Sequence, residues 1–210
     1  MRLWKNLEEI KVNDVYLYGA GGHAKVILDI LKSNGITVPE IFDDNPDIES
    51  FMGIPVSHAG IRSPLIISIG NNRIRKNIAE KINKDWISSF FYDKSAIVSD
   101  CASIEKGTVV MHGAIIQSSV KIGKHCIINT GVSIDHDCLI QDYVHIAPGC
   151  TLCGNVKIGE GSFIGAGTVI IPEVSIGNWS VIGAGSVVTR DIPDNVVAYG
   201  SPCKTAKQNY

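Results

Sequence analysis

From Val98 onwards, apolar residues recur at every sixth position of the chain. The sixteen first positions of this repeat, from Val98 to Val188, are all aliphatic, and fifteen of them are β-branched. A second set follows four residues after each of these, from Ala102 to Ile192, and all but its last member are small or of medium size. No insertion interrupts the period.

A period of six fits neither an α-helix nor the simple alternation of a β-strand. It is typical of a β-solenoid, in which each hexad supplies one short strand and one corner. The aliphatic residue then fills the interior and the small residue fits the corner, and three hexads per coil give about five coils. Five glycines directly follow an aliphatic position, where we expect corners that need a positive φ: Gly123, Gly159, Gly165, Gly177 and Gly183.

The segment 14–91 has a different pattern, in which apolar strands alternate with amphipathic helices. The stretches DVYLYG, VPEIFDD, PLIISIGNN and WISSFF predict strands. A first helix, ended by Gly35, is predicted to place Val26, Ile27, Ile30 and Leu31 on one face. A second helix is predicted to bury Ile74, Ile78 and Ile82, opposite Arg73, Arg75 and Lys76.

Alternating β and α elements imply a small parallel sheet with helices on both faces. We therefore predict a Rossmann-like α/β domain over residues 1–92, followed by a hexapeptide-repeat β-helix domain over residues 93–210. Ligands of such sheets bind beyond the carboxyl ends of the strands. Three loops fall there, at residues 19–23, 43–44 and 70–72. The first is similar to G-x-G-x-x-A, so a phosphate site, a dinucleotide site and a plain tight turn remain open.

Composition narrows the function classes. The 210 residues carry a net charge of −2, with 45% hydrophobic and 19% charged residues, which argues against nucleic acid as the main partner and against disorder. No apolar run reaches the roughly 20 residues of a membrane span. Glu8 and Glu9 lie where a signal peptide needs an apolar stretch. We therefore expect a cytoplasmic protein whose six cysteines are reduced.

Among the six histidines, His136 stands out because it lies between Asp135 and Asp137. It is the third residue of its hexad, at a corner, and is expected to point outward. Two carboxylates can orient the ring and raise its basicity, as a general base near neutral pH requires. A surface histidine among solvated acids explains the same spacing equally well.

The repeat, closed by VVTRDIPDNVVAYGSPCK, resembles the hexapeptide-repeat acyltransferases over roughly residues 97–205. This resemblance implies a left-handed parallel β-helix. The whole chain resembles the sialic acid O-acetyltransferase family, which includes enzymes of the UDP-N-acetylbacillosamine N-acetyltransferase type. The stretches that carry this resemblance include YLYGAGGHAKVILDIL, IFDD, ISIGNNRIRKNIAEKI and NTGVSIDHDCLIQDYVHIAPGCTLCGNVKIGEGSFIGAG.

The resemblance implies a role for each matching residue. His136 becomes the general base and Asp137 its orienter, although the family often has Glu at the acid positions. Residues near acetyl-CoA, the cosubstrate, are Asn129, His145, Gly154, Ala166 and Ala184. Residues that contact the nucleotide-sugar are Gly21, Gly22, His23, Asp43, Asp44, Gly70 and Asn71.

The remaining candidates are weaker. His112 and His125 are expected on solvated corners, and the spacing of the histidines argues against a zinc site of three converging ligands. Cys126, Cys138 and Cys150 occupy the inward small position, where a thiol is a core residue. The other three cysteines, Cys101, Cys153 and Cys203, are expected to be more exposed, without a neighbouring base. Direct transfer is thus favoured over an acyl-cysteine intermediate.

The leading hypothesis is an acetyl-CoA-dependent N-acetyltransferase that acetylates the amine of a nucleotide-linked amino sugar for surface glycans. Its alternatives are an O-acetyltransferase of sialic acid or a related sugar, and a non-catalytic scaffold that binds sugar nucleotides. The resemblance also implies a homotrimer with its active sites between subunits. The spacing of the histidines leads us to expect no metal.

Overall fold

The computed structural model describes residues 14–209, so the predictions based on Glu8 and Glu9 lie outside the described residues. The N-terminal region contains five strands and two helices, followed by a 3-10 turn at Lys84–Trp86. These elements are β1 (Tyr16–Tyr18), α1 (Gly22–Ser33), β2 (Ile41–Phe42), β3 (Ser50–Phe51), β4 (Ile54–Ser57), β5 (Leu65–Ile67) and α2 (Asn72–Lys81).

The N-terminal strands form one sheet in the order β3-β4-β2-β1-β5, with all neighbours parallel except the β3–β4 hairpin. Helix α1 buries Ile27 and Ile30 in one apolar cluster of this sheet. Helix α2 buries Ile78 in the other, together with Phe42 and Leu65. The predicted α/β region is confirmed, whereas the hairpin was not predicted.

Two local predictions are wrong. In the segment WISSFF, Ile87 makes only an isolated bridge to Leu65, and the strand is limited to Phe91–Tyr92. In α2, Ile74 is exposed, while Arg75, which was predicted on the polar face, is 1% exposed. The reason is that α2 is covered on two sides, by the sheet and by the solenoid, so apolar spacing alone does not show which side chains are buried.

The repeat forms a parallel β-solenoid with three faces, as predicted. Strands pair with a shift of eighteen residues, as Ile116 does with Ile134. Face 1 contains Phe91–Tyr92, Val109–Val110, Ile127–Ile128, His145–Ile146, Phe163–Ile164, Val181–Ile182, Val196–Gly200 and Cys203–Gln208. Face 2 contains Ile97–Val98, Ile115–Ile116, Ser133–Ile134, Thr151–Leu152, Val169–Ile170 and Val187–Val188. Face 3 contains Ser103–Ile104, Lys121–Ile122, Leu139–Ile140, Lys157–Ile158 and Ser175–Ile176.

The interior of the solenoid is filled as the period predicts. The aliphatic positions from Ile104 to Val188 are buried, as are the small positions from Ala102 to Ile192. Polar members of the small set bond to corner carbonyls, as Thr108 does to the Gly123 oxygen at 2.7 Å. Burying these hydroxyl groups therefore leaves no donor without a partner.

The corner backbone differs from the prediction. Positive φ recurs at every sixth residue from Gly107 to Gly185, and none of the five glycines expected to adopt it does so. Those glycines instead lie against the next coil. A Cβ on Gly165, for example, would come within 2.5 Å of the Ala184 nitrogen. They are needed for close approach between coils, not for backbone conformation.

The N-terminal region packs on face 1. Its apolar cluster includes Val109 and Ile127 of that face, and Met111, which directly follows the strand Val109–Val110. Asn72 of α2 donates to the backbone oxygens of Gly161 and Ser162 at 3.0 and 3.2 Å.

Among the helices of residues 14–209, none has the length and apolar character that a membrane span needs. The division after residue 92 and the left-handed sense of the solenoid stay predictions.

Candidate active site

His136 lies on the corner between faces 2 and 3 (residues 135–138), with its side chain 60% exposed. The Asp137 carboxylate lies 2.8 Å from its Nδ1. Asp137 takes up the positive φ of this corner, at 61°, and Asp135 accepts the His136 backbone N–H at 2.8 Å. The hydrogen bond to Asp137, and then the charge of Asp135, raise the pKa of His136. Nε2 remains available to accept a proton.

Gly154 lies one coil above His136 on the same corner. A Cβ at this position would come within 2.6 Å of His136 Cε1 and 2.7 Å of its Nε2. Its backbone φ is not positive. The residue was predicted as a cofactor contact, and the structure shows a second reason for glycine here, because any side chain would displace the imidazole.

A second group of predicted residues meets where the N-terminal region covers face 1. The ring of His145 lies between the side chain of Asn129 and the Gly70 carbonyl, with Nε2 3.2 Å from Asn129 Nδ2 and Nδ1 3.3 Å from the Gly70 oxygen. The ring of His23 is 6.5 Å away, and the edge of Phe163 contacts His145 at 5.0 Å between centroids.

Both histidines of this group are neutral at physiological pH. Burial, and then the Arg75 guanidinium, lower the pKa of His145 to about 4. Burial, His145 and Arg75 lower the pKa of His23 to about 3. Nε2 of His23 is buried without a hydrogen-bond partner among the described residues. A ligand atom that reaches this loop would satisfy it.

The glycine loop and the acidic pair are joined. The carboxylate of Asp43 accepts the Ala20 backbone N–H at 2.7 Å, so Asp43 fixes the loop that contains Gly21 and Gly22. The two glycines are exposed at the start of α1, and no side chain caps this helix. Unpaired N–H groups at a helix start suit a phosphate.

Asp44 and Asn71 have defined partners. The hydroxyl of Tyr18 donates to Asp44 at 2.6 Å, and burial together with this carboxylate raises the pKa of Tyr18 to about 12. Asn71 caps α2 by accepting the Ile74 N–H at 3.0 Å. Asp44 is exposed and open to a ligand, whereas the oxygen of Asn71 already accepts one hydrogen bond.

One chain does not bring all of these residues together. His136, Asp137 and Gly154 lie on the corner between faces 2 and 3. Asn129, Ala166 and Ala184 lie on the corner between faces 1 and 2, and the substrate loops lie over face 1. Face 2 separates the two groups within a single subunit.

Several expectations about other residues need correction. His125 is buried and stacked on Tyr143, not solvated, and Cys203 is buried as well. His112 is partly exposed and lies 3.3 Å from the Asp93 carboxylate. The residue that the sequence missed is Arg75, because its spacing on α2 suggested a solvated face.

The three inward cysteines are poor candidates for a nucleophile. Cys126, Cys138 and Cys150 are buried, as predicted. Burial raises the pKa of the Cys126 thiol to about 12 and that of Cys138 to about 11. Thiols with raised pKa values carry almost no thiolate at neutral pH. Within residues 14–209, no group of three or more His, Cys, Asp or Glu side chains is placed to hold a metal ion.

Comparison with known families identifies two regions. The PglD N-terminal domain matches residues 14–82, and the bacterial transferase hexapeptide (six repeats) matches residues 155–190. A curated relative, UDP-N-acetylbacillosamine N-acetyltransferase of Bacillus subtilis, is 41% identical over 113 residues, which are 48% of this chain and 52% of the relative. The curated relatives are matched over about half of their own length or less.

Solved structures match over nearly the full chain. Perosamine N-acetyltransferase from Caulobacter crescentus, a histidine-to-asparagine variant in complex with CoA and GDP-perosamine, is 36% identical with a TM-score of 0.88. The match covers 94% of this chain and 98% of that one. The acetyltransferase domain of PglB from Neisseria gonorrhoeae, in complex with acetyl coenzyme A, is 35% identical with a TM-score of 0.85, over 92% and 99% of the two chains.

Proposed function

We propose that this chain, which belongs to the hexapeptide-repeat family of sugar N-acetyltransferases with a PglD N-terminal domain, transfers acetyl from acetyl-CoA to the amine of a nucleotide-linked amino sugar. The observation that carries the proposal is the match along nearly the whole length of both chains to an enzyme whose structure contains CoA and GDP-perosamine. The exposed His136–Asp137 pair supplies the base that such a reaction needs.

The transfer needs little from the protein, because the thioester is already activated. The sugar nitrogen attacks the thioester carbonyl carbon, the C–S bond breaks, and CoA leaves as the thiolate. Nε2 of His136 takes the proton that the nitrogen loses and can return it to the thiolate. The carboxylate of Asp137 holds the ring by Nδ1 and stabilises the imidazolium that forms.

The N-terminal loops are suited to bind the nucleotide part of the acceptor. The start of α1 offers unpaired N–H groups to a phosphate, and the exposed Asp44 carboxylate can accept a hydrogen bond from a ribose hydroxyl. Binding energy at this distance from the reaction then positions the amine at the thioester. The Asp43 carboxylate, which already holds the glycine loop, acts on the nucleotide through that loop.

The chain acts as a homotrimer in this proposal, with each site shared between two subunits. His136 and the N-terminal loops of one chain lie on opposite sides of face 2, so a neighbour must supply the missing half. The outer positions of face 2 carry no charge, which is typical of the core of an interface: Ile97, Ile115, Ser133, Thr151, Val169 and Val187. Acetyl-CoA as the cosubstrate also supports a cytoplasmic location.

The proposal is tested with a panel of UDP-, GDP- and CMP-linked amino sugars, GDP-perosamine among them, with thiol release from acetyl-CoA as the readout. We expect release with at least one nucleotide-linked amino sugar and an amide product by NMR. An ester product from free sialic acid would favour the O-acetyltransferase instead. Binding of a sugar nucleotide without binding of acetyl-CoA in isothermal titration would indicate a scaffold.

A further inference from the structure

Side chains at the start of α2 donate to corners of the solenoid between faces 3 and 1, on three consecutive coils. The acceptors are backbone oxygens that follow one another at intervals of eighteen residues, the shift between neighbouring coils: His125, Tyr143 and Gly161. Arg75 donates to the first two at 2.8 Å each, and Asn72 donates to the third at 3.0 Å. The helix therefore contacts three coils in register with their repeat.

Arg75 uses its other donors on its own helix and on the loop before it. Nη1 donates to the backbone oxygens of Ile69 and Gly70 at 3.0 and 3.2 Å. Nη2 donates to Asn72 at 2.8 Å and can only donate, so the atom that faces it is the amide oxygen, and the amide nitrogen is turned to the solenoid. The five N–H groups of the guanidinium thus have five oxygen acceptors. One side chain joins the solenoid to the loop that follows β5.

Arg75 is a buried cation, which makes its position hard to change. It is 1% exposed, and among residues 14–209 no carboxylate forms an ion pair with it. Burial lowers its pKa to about 10, so the guanidinium still carries its charge at neutral pH. A buried charge is tolerated only where hydrogen bonds replace its hydration. A shift of α2 along the solenoid would take the guanidinium away from corner oxygens whose places are fixed, so these bonds favour a single position of the helix.

The loop after β5 in turn supports the glycine loop at residues 19–23. Oγ of Ser68 donates to the Gly19 backbone oxygen at 2.6 Å. The φ of Gly19 is +113°, and a Cβ at this position would come within 2.7 Å of Ile69 Cγ1. The two loops are therefore in close contact, and the hydrogen bonds of Arg75 are linked through Ile69 to the loop at the start of α1.

We propose that Arg75 is a positioning residue that holds the acceptor-binding loops at residues 19–23 and 70–72 at one height along the solenoid, so that the amine of the bound sugar meets the base of a neighbouring subunit. This inference rests on the proposed acetyl transfer and on sites shared between subunits. The N-terminal region holds the acceptor and the solenoid carries the base, so a displacement of one relative to the other changes the distance between the reacting groups. Arg75 acts through the loops, without touching a substrate.

The placement of the loops can be tested without any substrate. Hydrogen exchange of backbone amides, read by mass spectrometry of peptides, compares the wild-type protein with Arg75→Met. We expect faster exchange in peptides that cover residues 15–24 and 65–72, and wild-type exchange in solenoid peptides from residues 165–190. Equal exchange of the loop peptides in the two proteins would overturn the proposal.

Kinetics separate a positioning role from a general loss of stability. Arg75→Met should lower kcat roughly 10-fold to 100-fold, as a displacement of about 1 Å between reacting groups does. The KM for acetyl-CoA should stay at its wild-type value, and isothermal titration should still show one CoA bound per chain, because the predicted cofactor corners belong to the solenoid. CoA binding that falls in proportion to kcat would indicate partial unfolding and would overturn the positioning role. Arg75→Lys should recover part of kcat, because an ammonium can still donate to some of the same oxygens.

A second variant decides the question if Arg75→Met does not fold. Asn72→Ala removes the contact with the third coil and leaves Arg75 on the other two. It should lower kcat by a smaller factor than Arg75→Met, again with an unchanged KM for acetyl-CoA. The matched control is Lys81→Met, which removes an exposed positive charge from the last turn of the same helix. It should keep the wild-type kcat and exchange.

Two outcomes distinguish this proposal from the proposed function. If Asn72→Ala and a folded Arg75→Met both keep the wild-type kcat and exchange, α2 does not position the loops. If no nucleotide-linked sugar is acetylated while exchange changes as expected, the proposed function fails, and the role of Arg75 in placing the loops stands.

Discussion

At the scale of single residues, the His136 imidazole and the Asp137 carboxylate hold each other on an exposed corner, 2.8 Å apart. A general base contributes typically 10²–10⁴-fold to a rate. His136→Ala should therefore lower kcat by about 10² to 10⁴ at saturating substrates. Asp137→Ala should cost less, because it only orients and tunes the ring. Lys121→Ala on face 3 is the surface control. Near-normal turnover by the His136→Ala variant would show that His136 is not the general base.

The same pair sets a pH dependence. The Asp137 hydrogen bond raises the pKa of His136 above its ordinary value of 6.5. A base works only when it is unprotonated, so the acidic limb of kcat/KM should lie above pH 6.5. Asp137→Asn removes the negative charge, lowers the pKa and should move this limb to lower pH. A limb that stays in place or moves upward would show that Asp137 does not tune the base.

At the scale of elements, alanine substitutions at two corner glycines should have different effects, one on activity and the other on stability. Gly154→Ala places its Cβ against the His136 ring, which is exposed and can swing away. Gly165→Ala places its Cβ against backbone of the next coil, which cannot move alone. The first variant should lose activity and keep its Tm, and the second should lose about 1–3 kcal/mol of stability. Calorimetry and initial rates on both proteins check this, and the reverse pattern would contradict it.

Much of the architecture follows from residue spacing, because the solenoid repeats one local rule. Each aliphatic position has the same surroundings, so the register from Ile104 to Val188 could be predicted without tertiary information. The pair His136–Asp137 was found for a similar reason, since adjacent residues on one corner stay close in any coil. Arg75 could not be found in this way, because its acceptors come from α2, its preceding loop and two distant corners.

At the scale of the whole molecule, face 2 lies between the base and the substrate loops. Light scattering at micromolar concentration should therefore give the mass of a trimer, and a fully active monomer would contradict this.

Mixed trimers test more directly whether each site is shared between two subunits. His136→Ala and Asp44→Ala chains, each nearly inactive at low acceptor concentration, should regain activity when they are refolded together. No gain on mixing would indicate that each site is complete within one chain.

The Asp44 loop of the N-terminal region should act on the acceptor alone. Asp44→Ala should raise the KM for the nucleotide-linked sugar strongly and leave acetyl-CoA affinity nearly unchanged, because Asp44 belongs to the loop after β2, whereas the predicted cofactor corners belong to the solenoid. Asp47→Ala is the matched control, since it removes the same charge from the same exposed loop. Titration of both ligands into both variants measures this. If Asp44→Ala lost as much affinity for acetyl-CoA as for the acceptor, Asp44 would not be specific to the nucleotide site.

The most direct test of the central proposal compares one amino sugar in two forms, with and without its nucleotide. The free sugar presents the same amine to His136 but cannot use the loops at residues 19–23 and 43–44. Its kcat/KM, measured by thiol release, should be at least about 100-fold lower than that of the nucleotide-linked form. Equal kcat/KM values for the two forms would contradict the proposal and favour O-acetylation of a free sialic acid.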